Sequence, residues 1–236
     1  NLFYFESGDP LLPAVVCIHG LGDEADTWRH VIEPLAEQYH VLALDLPGFG
    51  RSSQPADLTY TPQFFQTTIL SFLDQLSVRQ AVLIGSSLGG ILAHAIAIDN
   101  PDRVMGLALV GGALLQPQSM GDMSLRLMAL PGLGEWFYTR LRHSPQAAFD
   151  SLRNVYHDLD GLPAEDRAFL FARVNQRVWS NAQRRAYFST LRNLGKFIKQ
   201  SQRGLDEKLA RLTVPTIVMR GEHDPLFAAE NARALM

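Results

Sequence analysis

The stretch Ala81-Val-Leu-Ile-Gly-Ser-Ser-Leu-Gly-Gly-Ile-Leu-Ala93 decides the fold, because an apolar run enters a Gly-x-Ser-x-Gly turn and leaves as a helix. The run before the turn is short and β-branched, which is typical of a buried strand, and apolar residues recur after it at helical spacing. Gly85 and Gly89 flank Ser87, because a sharp strand-to-helix turn brings backbones so close that a Cβ would obstruct them. The pattern predicts a nucleophile elbow that presents the Ser87 hydroxyl, with the amide of Leu88 facing a developing oxyanion. The alternative is a chance Gly/Ser turn.

Composition restricts the class of protein. With 236 residues, 47% of them apolar, the chain is long enough for one α/β domain with an insertion. The net charge of -3, with both signs mixed along the sequence, disfavours nucleic acid and membrane-surface partners. The longest uncharged run, residues 81–98, contains the Gly-Ser turn and a histidine, so we predict no membrane span. Cys17 is the only cysteine and lies in an apolar run, which predicts a core residue, no disulfide and a cytoplasmic location.

Short apolar runs alternate with helical patterns along most of the chain. The predicted strands are residues 2–6, 14–18, 41–44, 81–84, 104–110 and 214–219, and the predicted helices include 27–39 and 61–76. This alternation predicts an α/β protein with a doubly wound, mostly parallel sheet, in which residues 2–6 form an edge strand. Ligands of such sheets bind beyond the carboxyl ends of the strands.

One long segment interrupts this alternation. Residues 114–203 show no convincing strand and are rich in helical runs, and their length exceeds what one crossover needs. We predict a helical cap, inserted into a core formed by residues 1–113 and 204–236. The alternative is an ordinary pair of crossover helices.

The first part of the predicted cap carries an apolar stripe. Its members are Met120, Met123, Leu125, Leu127, Met128, Leu130, Leu133, Trp136 and Phe137. Several of them are spaced for one helical face, so the stripe either lines a pocket for an apolar acyl or alkyl group or packs as cap core.

A distinctive loop follows each of four predicted strands. The loops are His19-Gly-Leu-Gly-Asp23, Asp45-Leu-Pro-Gly-Phe-Gly-Arg-Ser-Ser53, Gly85-Ser-Ser-Leu-Gly89 and Gly221-Glu-His-Asp-Pro225. In this order, and over almost the whole chain, they resemble the α/β-hydrolase family. The resemblance implies that the amide of Leu21 joins that of Leu88 in an oxyanion hole, and that Asp224 is the acid that orients a histidine. Glu222 stands too early in its turn for that role, whereas a loop aspartate without catalytic function is the alternative for Asp224.

The histidine expected from the resemblance is missing, because the family places it after the acid and none follows Asp224. The seven histidines are His19, His30, His40, His94, His143, His157 and His223. His19 is interpreted as a structural residue of its loop, and His94 lies about 10 Å along the helix from Ser87, too far to reach it. His143 and His157 belong to the predicted cap, where they either approach the pocket or, as is commoner, lie on its solvated surface. His223 adjoins Asp224 and could be its oriented partner only through an awkward loop. We expect the base, with a further strand and helix, beyond Met236; the alternative is a protein without the base.

The implied reaction is attack of Ser87 on a carbonyl, followed by hydrolysis of the acyl-enzyme, with no metal or organic cofactor. A serine at the elbow argues against epoxide hydrolases and haloalkane dehalogenases, which carry an aspartate there. We therefore expect a serine hydrolase of a small to medium hydrophobic carboxylic ester. Carbon-carbon bond hydrolysis, lactone opening, amide hydrolysis and perhydrolysis share the same residues. The competing class is a non-catalytic ligand-binding protein on the same fold.

Overall fold

A computed structural model describes residues 1–114, 127–224, 227 and 233 of the chain. Six strands form one sheet in the order β1-β3-β2-β4-β5-β6. Their bounds are β1 Tyr4–Ser7, β2 Ala14–Ile18, β3 His40–Leu44, β4 Ala81–Ser86, β5 Val104–Val110 and β6 Thr216–Met219. Strand β1 pairs with β3 antiparallel, whereas the other neighbouring pairs are parallel. The predicted doubly wound, mostly parallel sheet with an edge strand at its start is confirmed.

Helices flank this sheet, and further helices follow β5 in the chain. They are α1 Ile32–Ala36, α2 Pro62–Gln75, α3 Leu88–Asp99, α4 Leu133–Arg140, α5 Pro145–Asp150, α6 Ala164–Trp179, α7 Asn181–Ser201 and α8 Leu205–Ala210. The start of α2 follows from its sequence, since the hydroxyl of Thr61 accepts the N–H of Phe64 and Pro62 occupies the first turn.

The helix predicted over residues 27–39 is wrong in length. A 3-10 turn, Ala25–Trp28, and the short helix α1 replace it. Pro34 lies in the first turn of α1, where its missing N–H is tolerated. A helix that began earlier would place Pro34 in its interior, and the proline ring would clash with the preceding turn.

The core lies on both faces of the sheet. One cluster joins Val16 and Leu83 to the apolar faces of α2 and α3. The opposite cluster joins Val15 and Cys17 to Trp28 and α1. Cys17 is fully buried, as predicted, and burial raises the pKa of its thiol to about 12.

Residues 127–203 are mostly helical and include α4 to α7, and we call them the helical region. Part of it has its own core, in which Leu170 and Val174 of α6 pack against Phe149 of α5. Residues 115–126, with Met120, Met123 and Leu125 of the predicted stripe, lie outside the described residues. Leu127, Leu130, Trp136 and Phe137 of that stripe are exposed.

Candidate active site

The strand-to-helix turn is built as the motif predicts. Strand β4 ends at Ser86, α3 begins at Leu88, and Ser87 between them has a φ of 51°. A positive φ is uncommon for a residue with a side chain, and persists only where surrounding contacts hold it. Those contacts are the N–H of Ser87, which donates to the carbonyl of Val110 (2.8 Å), and the carbonyl of Ser87, which accepts the N–H of Ile91 (3.1 Å).

The glycines of the motif are required by close backbone approach. A Cβ on Gly85 would lie 2.2 Å from the carbonyl oxygen of Gly89, and one on Gly89 would lie 2.1 Å from that of Ile18. No side chain fits at either distance. Helix α3 therefore starts tightly against β2 and β4, which fixes Ser87 at the carboxyl edge of the sheet.

The end of β5 also supports the elbow, a role that was not expected from the sequence. A Cβ on Gly112 would lie 2.2 Å from the carbonyl oxygen of Ser87. Gly111 has a φ of 59°, and a Cβ there would lie 3.2 Å from the Oδ2 of Asp224. The only signal in the sequence was the glycine pair at the end of a predicted strand.

A second loop passes beside Ser87, and we call residues 19–24 the glycine loop. The ideal Cβ position of Gly20 lies 3.4 Å from the Cβ of Ser87. Within the loop, the N–H of Asp23 donates to the carbonyl of Gly20 (3.2 Å), closing a turn around Leu21 and Gly22. The amides of Leu21 and Leu88 donate no hydrogen bond to any residue in the described part of the chain.

His19 anchors the glycine loop from inside. The Nε2 of its fully buried ring accepts the N–H of Leu46 (2.9 Å), so the Nδ1 is the donor to the carbonyl of Gly20 (2.7 Å). Burial lowers the pKa of the imidazole. Both ring nitrogens make hydrogen bonds to backbone groups, which agrees with the structural role predicted for His19.

Asp224 lies in the turn after β6. Its N–H donates to the carbonyl of Gly221 (3.1 Å), and its Oδ1 accepts the N–H of Phe227 (3.0 Å). The structure brings Asp224 and Ser87 to the same cavity, which has a volume of about 680 Å³. The cavity is lined by Ser86, Ser87, Val110, Gly111, Arg153, Val155, Tyr156, His157, Gly221, Glu222, His223 and Asp224. A second cavity of about 330 Å³ shares Ser87 and is lined by the glycine loop and α6.

Two of the histidines reach the larger cavity. The rings of His157 and His223 stack with their centroids 4.7 Å apart, and both line the cavity with Ser87. His94 is buried on α3, where its Nδ1 accepts the N–H of Leu114 (3.2 Å). Burial lowers the pKa of His94 to about 4.

The helical region supplies cavity residues that sequence reasoning missed. Val155 and Tyr156 line the cavity, yet they follow a short 3-10 turn and carry no periodic signal, whereas His157 beside them was a candidate from the sequence as a histidine of the predicted cap. The described residues of the stripe line neither of the two cavities at Ser87; they are Leu127, Met128, Leu130, Leu133, Trp136 and Phe137.

Two further features concern the described residues alone. Within residues 1–114 and 127–224, no three His, Cys, Asp or Glu side chains form a group able to hold a metal ion. None of the helices described is both long enough and apolar enough to pass through a bilayer.

The sheet topology, and an elbow at the carboxyl edge of a central strand, define an α/β hydrolase. Residues 13–235 match the family model for the alpha/beta hydrolase fold, and the chain belongs to that family. It is a hydrolase of this fold, and the fold implies a small-molecule substrate.

The similarity to known proteins extends along almost the whole chain. An uncharacterized hydrolase, YugF, of Bacillus subtilis is 26% identical over 238 residues, which are 100% of this chain and 81% of that protein. The 2-hydroxy-6-oxo-6-(2'-aminophenyl)hexa-2,4-dienoic acid hydrolase of Metapseudomonas resinovorans is 28% identical over 239 residues, covering 97% of this chain and 73% of the relative. A meta-cleavage product hydrolase from Pseudomonas fluorescens superposes with a TM-score of 0.77 at 22% identity, over 99% of this chain and 81% of that structure.

Proposed function

We propose that this protein is a serine hydrolase that cleaves small to medium hydrophobic carboxylic esters through an acyl-enzyme on Ser87. The observation that carries the proposal is the strained backbone of Ser87, at a φ of 51°, in a residue that lines a cavity together with Asp224. Strain of this kind clusters at functional sites, because unrelated contacts must hold it in place. A binding protein has no need of it, which disfavours the non-catalytic alternative.

The proposed reaction has two steps. The Oγ of Ser87 bonds to the carbonyl carbon while its proton passes to a histidine, and the alcohol then leaves with a proton. The amides of Leu21 and Leu88 hold the oxyanion, and Asp224 orients the histidine. Water next attacks the acyl-enzyme and releases the carboxylic acid. No metal or organic cofactor takes part in this scheme.

The position of residues in the sequence does not identify the catalytic histidine, so experiment must do so. In the family it follows the acid, and no histidine of this chain follows Asp224. His157 and His223 are the imidazoles that line the cavity with Ser87. Both are therefore candidates for the base.

The proposal includes the division into a core, residues 1–113 and 204–236, and a cap, residues 114–203. Its support is the position of the helical region, since Val155 and Tyr156 line the Ser87 cavity and α6 lines the neighbouring one. A cap in this place would cover the carboxyl edge of the sheet, where such folds bind ligands. Residues 115–126 of it lie outside the described residues.

The substrate class follows from the size and lining of the cavity. Its volume of about 680 Å³ suits a small or medium organic molecule. Val110, Val155 and Tyr156 offer apolar surface near Ser87. These contacts favour an ester with an apolar acyl or alkyl group.

Carbon-carbon bond hydrolysis is the second candidate, because the Metapseudomonas relative, which is similar over 97% of this chain, is named as a dienoic acid hydrolase. The same nucleophile and oxyanion hole would serve that reaction. Epoxide hydrolysis is disfavoured, because the family's epoxide hydrolases attack with an aspartate and Ser87 stands at that position.

The experiment compares short- and medium-chain p-nitrophenyl esters, and a dienoic ketoacid, as substrates of the purified protein. Ser87→Ala should lower kcat/KM for the best ester at least about a thousandfold. Ser71→Ala, an exposed serine on α2, is the matched control and should keep wild-type activity. His157→Ala and His223→Ala show whether either imidazole is the base. Esters cleaved no faster than by Ser87→Ala would refute the proposal, and cleavage of the ketoacid alone would establish the second candidate.

A further inference from the structure

The glycine loop is held by two arginines that project from the helical region. Arg177, in the last turn of α6, donates from its Nη1 to the carbonyl of Gly22 (3.1 Å) and to the Oδ1 of Asp23 (2.5 Å). Arg173, one turn earlier, donates from its Nε to the Oε1 of Glu24 (2.6 Å) and from its Nη2 to the second oxygen. Residues four apart lie on the same helix face, so α6 presents both guanidinium groups to this loop.

These contacts are largely shielded from solvent. The side chain of Arg177 is 13% exposed beside an Asp23 that is 34% exposed, and Arg173, 20% exposed, covers a Glu24 that is 3% exposed. A third ion pair extends the row, because Asp166 near the start of α6 accepts from Arg29 (2.6 Å) and contacts His30 (2.8 Å). Buried charge-assisted hydrogen bonds hold geometry far better than exposed pairs do.

Arg177 acts on the peptide group that sets the shape of the turn. The N–H of Asp23 donates to the carbonyl of Gly20, and the carbonyl of the same peptide group belongs to Gly22, which accepts from Arg177. Both ends of this peptide are therefore held, one by the loop itself and one by α6. The ring of Tyr187 on α7 packs 2.9 Å from the ideal Cβ position of Gly22, which blocks movement on that side.

We propose that Arg177 is a positioning residue that aims the amide of Leu21 at the oxyanion by fixing the Gly22–Asp23 peptide. The inference rests on the proposed function, because it assigns the Leu21 amide to the oxyanion hole. Loss of a single oxyanion donor costs about 10²- to 10³-fold in kcat in serine hydrolases. Arg177 acts through the loop, so its removal misaims the donor and costs less.

The kinetic constants distinguish an effect on the orientation of the oxyanion donor from an effect on substrate binding. The oxyanion exists in the transition state and not in the bound substrate, so misaiming its donor lowers kcat and leaves KM nearly unchanged. Arg177→Met keeps the apolar stem and removes both hydrogen bonds, and should lower kcat about 10- to 100-fold. Arg177→Lys should recover a large part of kcat. The Nη1 of Arg177 alone makes the hydrogen bonds to Gly22 and Asp23, and the ammonium group of a lysine can likewise donate to two acceptors.

The experiment measures kcat, KM and the rate of phosphonate inactivation for wild type, Arg177→Met, Arg177→Lys and the control Arg167→Met, at the opposite end of α6. Thermal melting verifies that each variant is folded, and Arg177→Gln replaces Arg177→Met if the latter does not fold. A kcat within twofold of wild type, a loss confined to KM, or a Lys variant as impaired as Met would overturn the inference. If wild type itself cleaves no ester and Ser87 resists the phosphonate, the proposed function has failed instead.

Discussion

His94 should make the stability of the fold depend on pH. Its ring is 1% exposed on the elbow helix, and its Nδ1 accepts the N–H of Leu114. Protonation of this nitrogen would place two N–H groups against each other and bury a charge. The bond also ties α3 to the loop after β5, which supports Ser87 through Gly112.

The size of the effect follows from the pKa of His94, which is about 4 in the folded protein against the ordinary value of 6.5. Between these values the unfolded chain holds a proton that the native state lacks, so the free energy of unfolding decreases as the pH falls. At about 1.4 kcal/mol per pH unit, the full contribution is about 3 kcal/mol. It is fully present above pH 6.5 and lost as the pH falls through 4.

The assay is urea unfolding, followed by tryptophan fluorescence at a series of pH values from 7 to 4. His94→Asn offers an amide oxygen to Leu114 but does not titrate, and we expect it to flatten the pH dependence. Part of the slope should remain, because burial also lowers the pKa of His19. His143→Asn, at an exposed imidazole, controls for the substitution itself. A His94→Asn protein that keeps the full wild-type slope would refute the reasoning.

Two further variants test the supports of the site. Gly112→Ala places a Cβ 2.2 Å from the carbonyl oxygen of Ser87, so kcat/KM for an ester should fall about 100-fold. The control is Gly106→Ala, whose Cβ would have its nearest contact 3.6 Å away and which should retain activity. Equal activity of the two variants would contradict the account. Arg51→Met should lower the free energy of unfolding by about 2 to 3 kcal/mol, because the fully buried carboxylate of Asp45 accepts hydrogen bonds from the Nε (3.0 Å) and the Nη2 (3.3 Å) of the Arg51 side chain, which methionine does not replace. Denaturant unfolding measures this loss, and a change below about 1 kcal/mol would show that the backbone donors suffice.

The elements with a strong local signal were predictable. The strand before Ser87 and the helix after it follow from a change of apolar period, and the bounds of β2 and β5 agree with the apolar runs. That Ser87 and Asp224 line one cavity was predictable too, because the carboxyl ends of parallel strands share one edge of a sheet.

Features set by tertiary contacts were not predictable. Nothing local distinguishes Arg177 from other arginines of the helical region, and its partners Gly22 and Asp23 are far away in the sequence. Tyr156 reaches the cavity from an irregular segment without periodicity. The helix α1 was predicted to start too early, because the prediction followed the apolar pattern and neglected the constraint that Pro34 places on a helix.

The most direct test of the central claim is the reaction of the purified protein with a fluorophosphonate, followed by intact mass and peptide mapping. The account predicts one adduct, located on Ser87 and absent from Ser87→Ala, because only an activated serine displaces fluoride at a useful rate. Prior incubation with an ester that the protein cleaves should slow the labelling of Ser87. A protein that is folded and yet carries no adduct, or carries it on another residue, would contradict the assignment of Ser87 as the nucleophile.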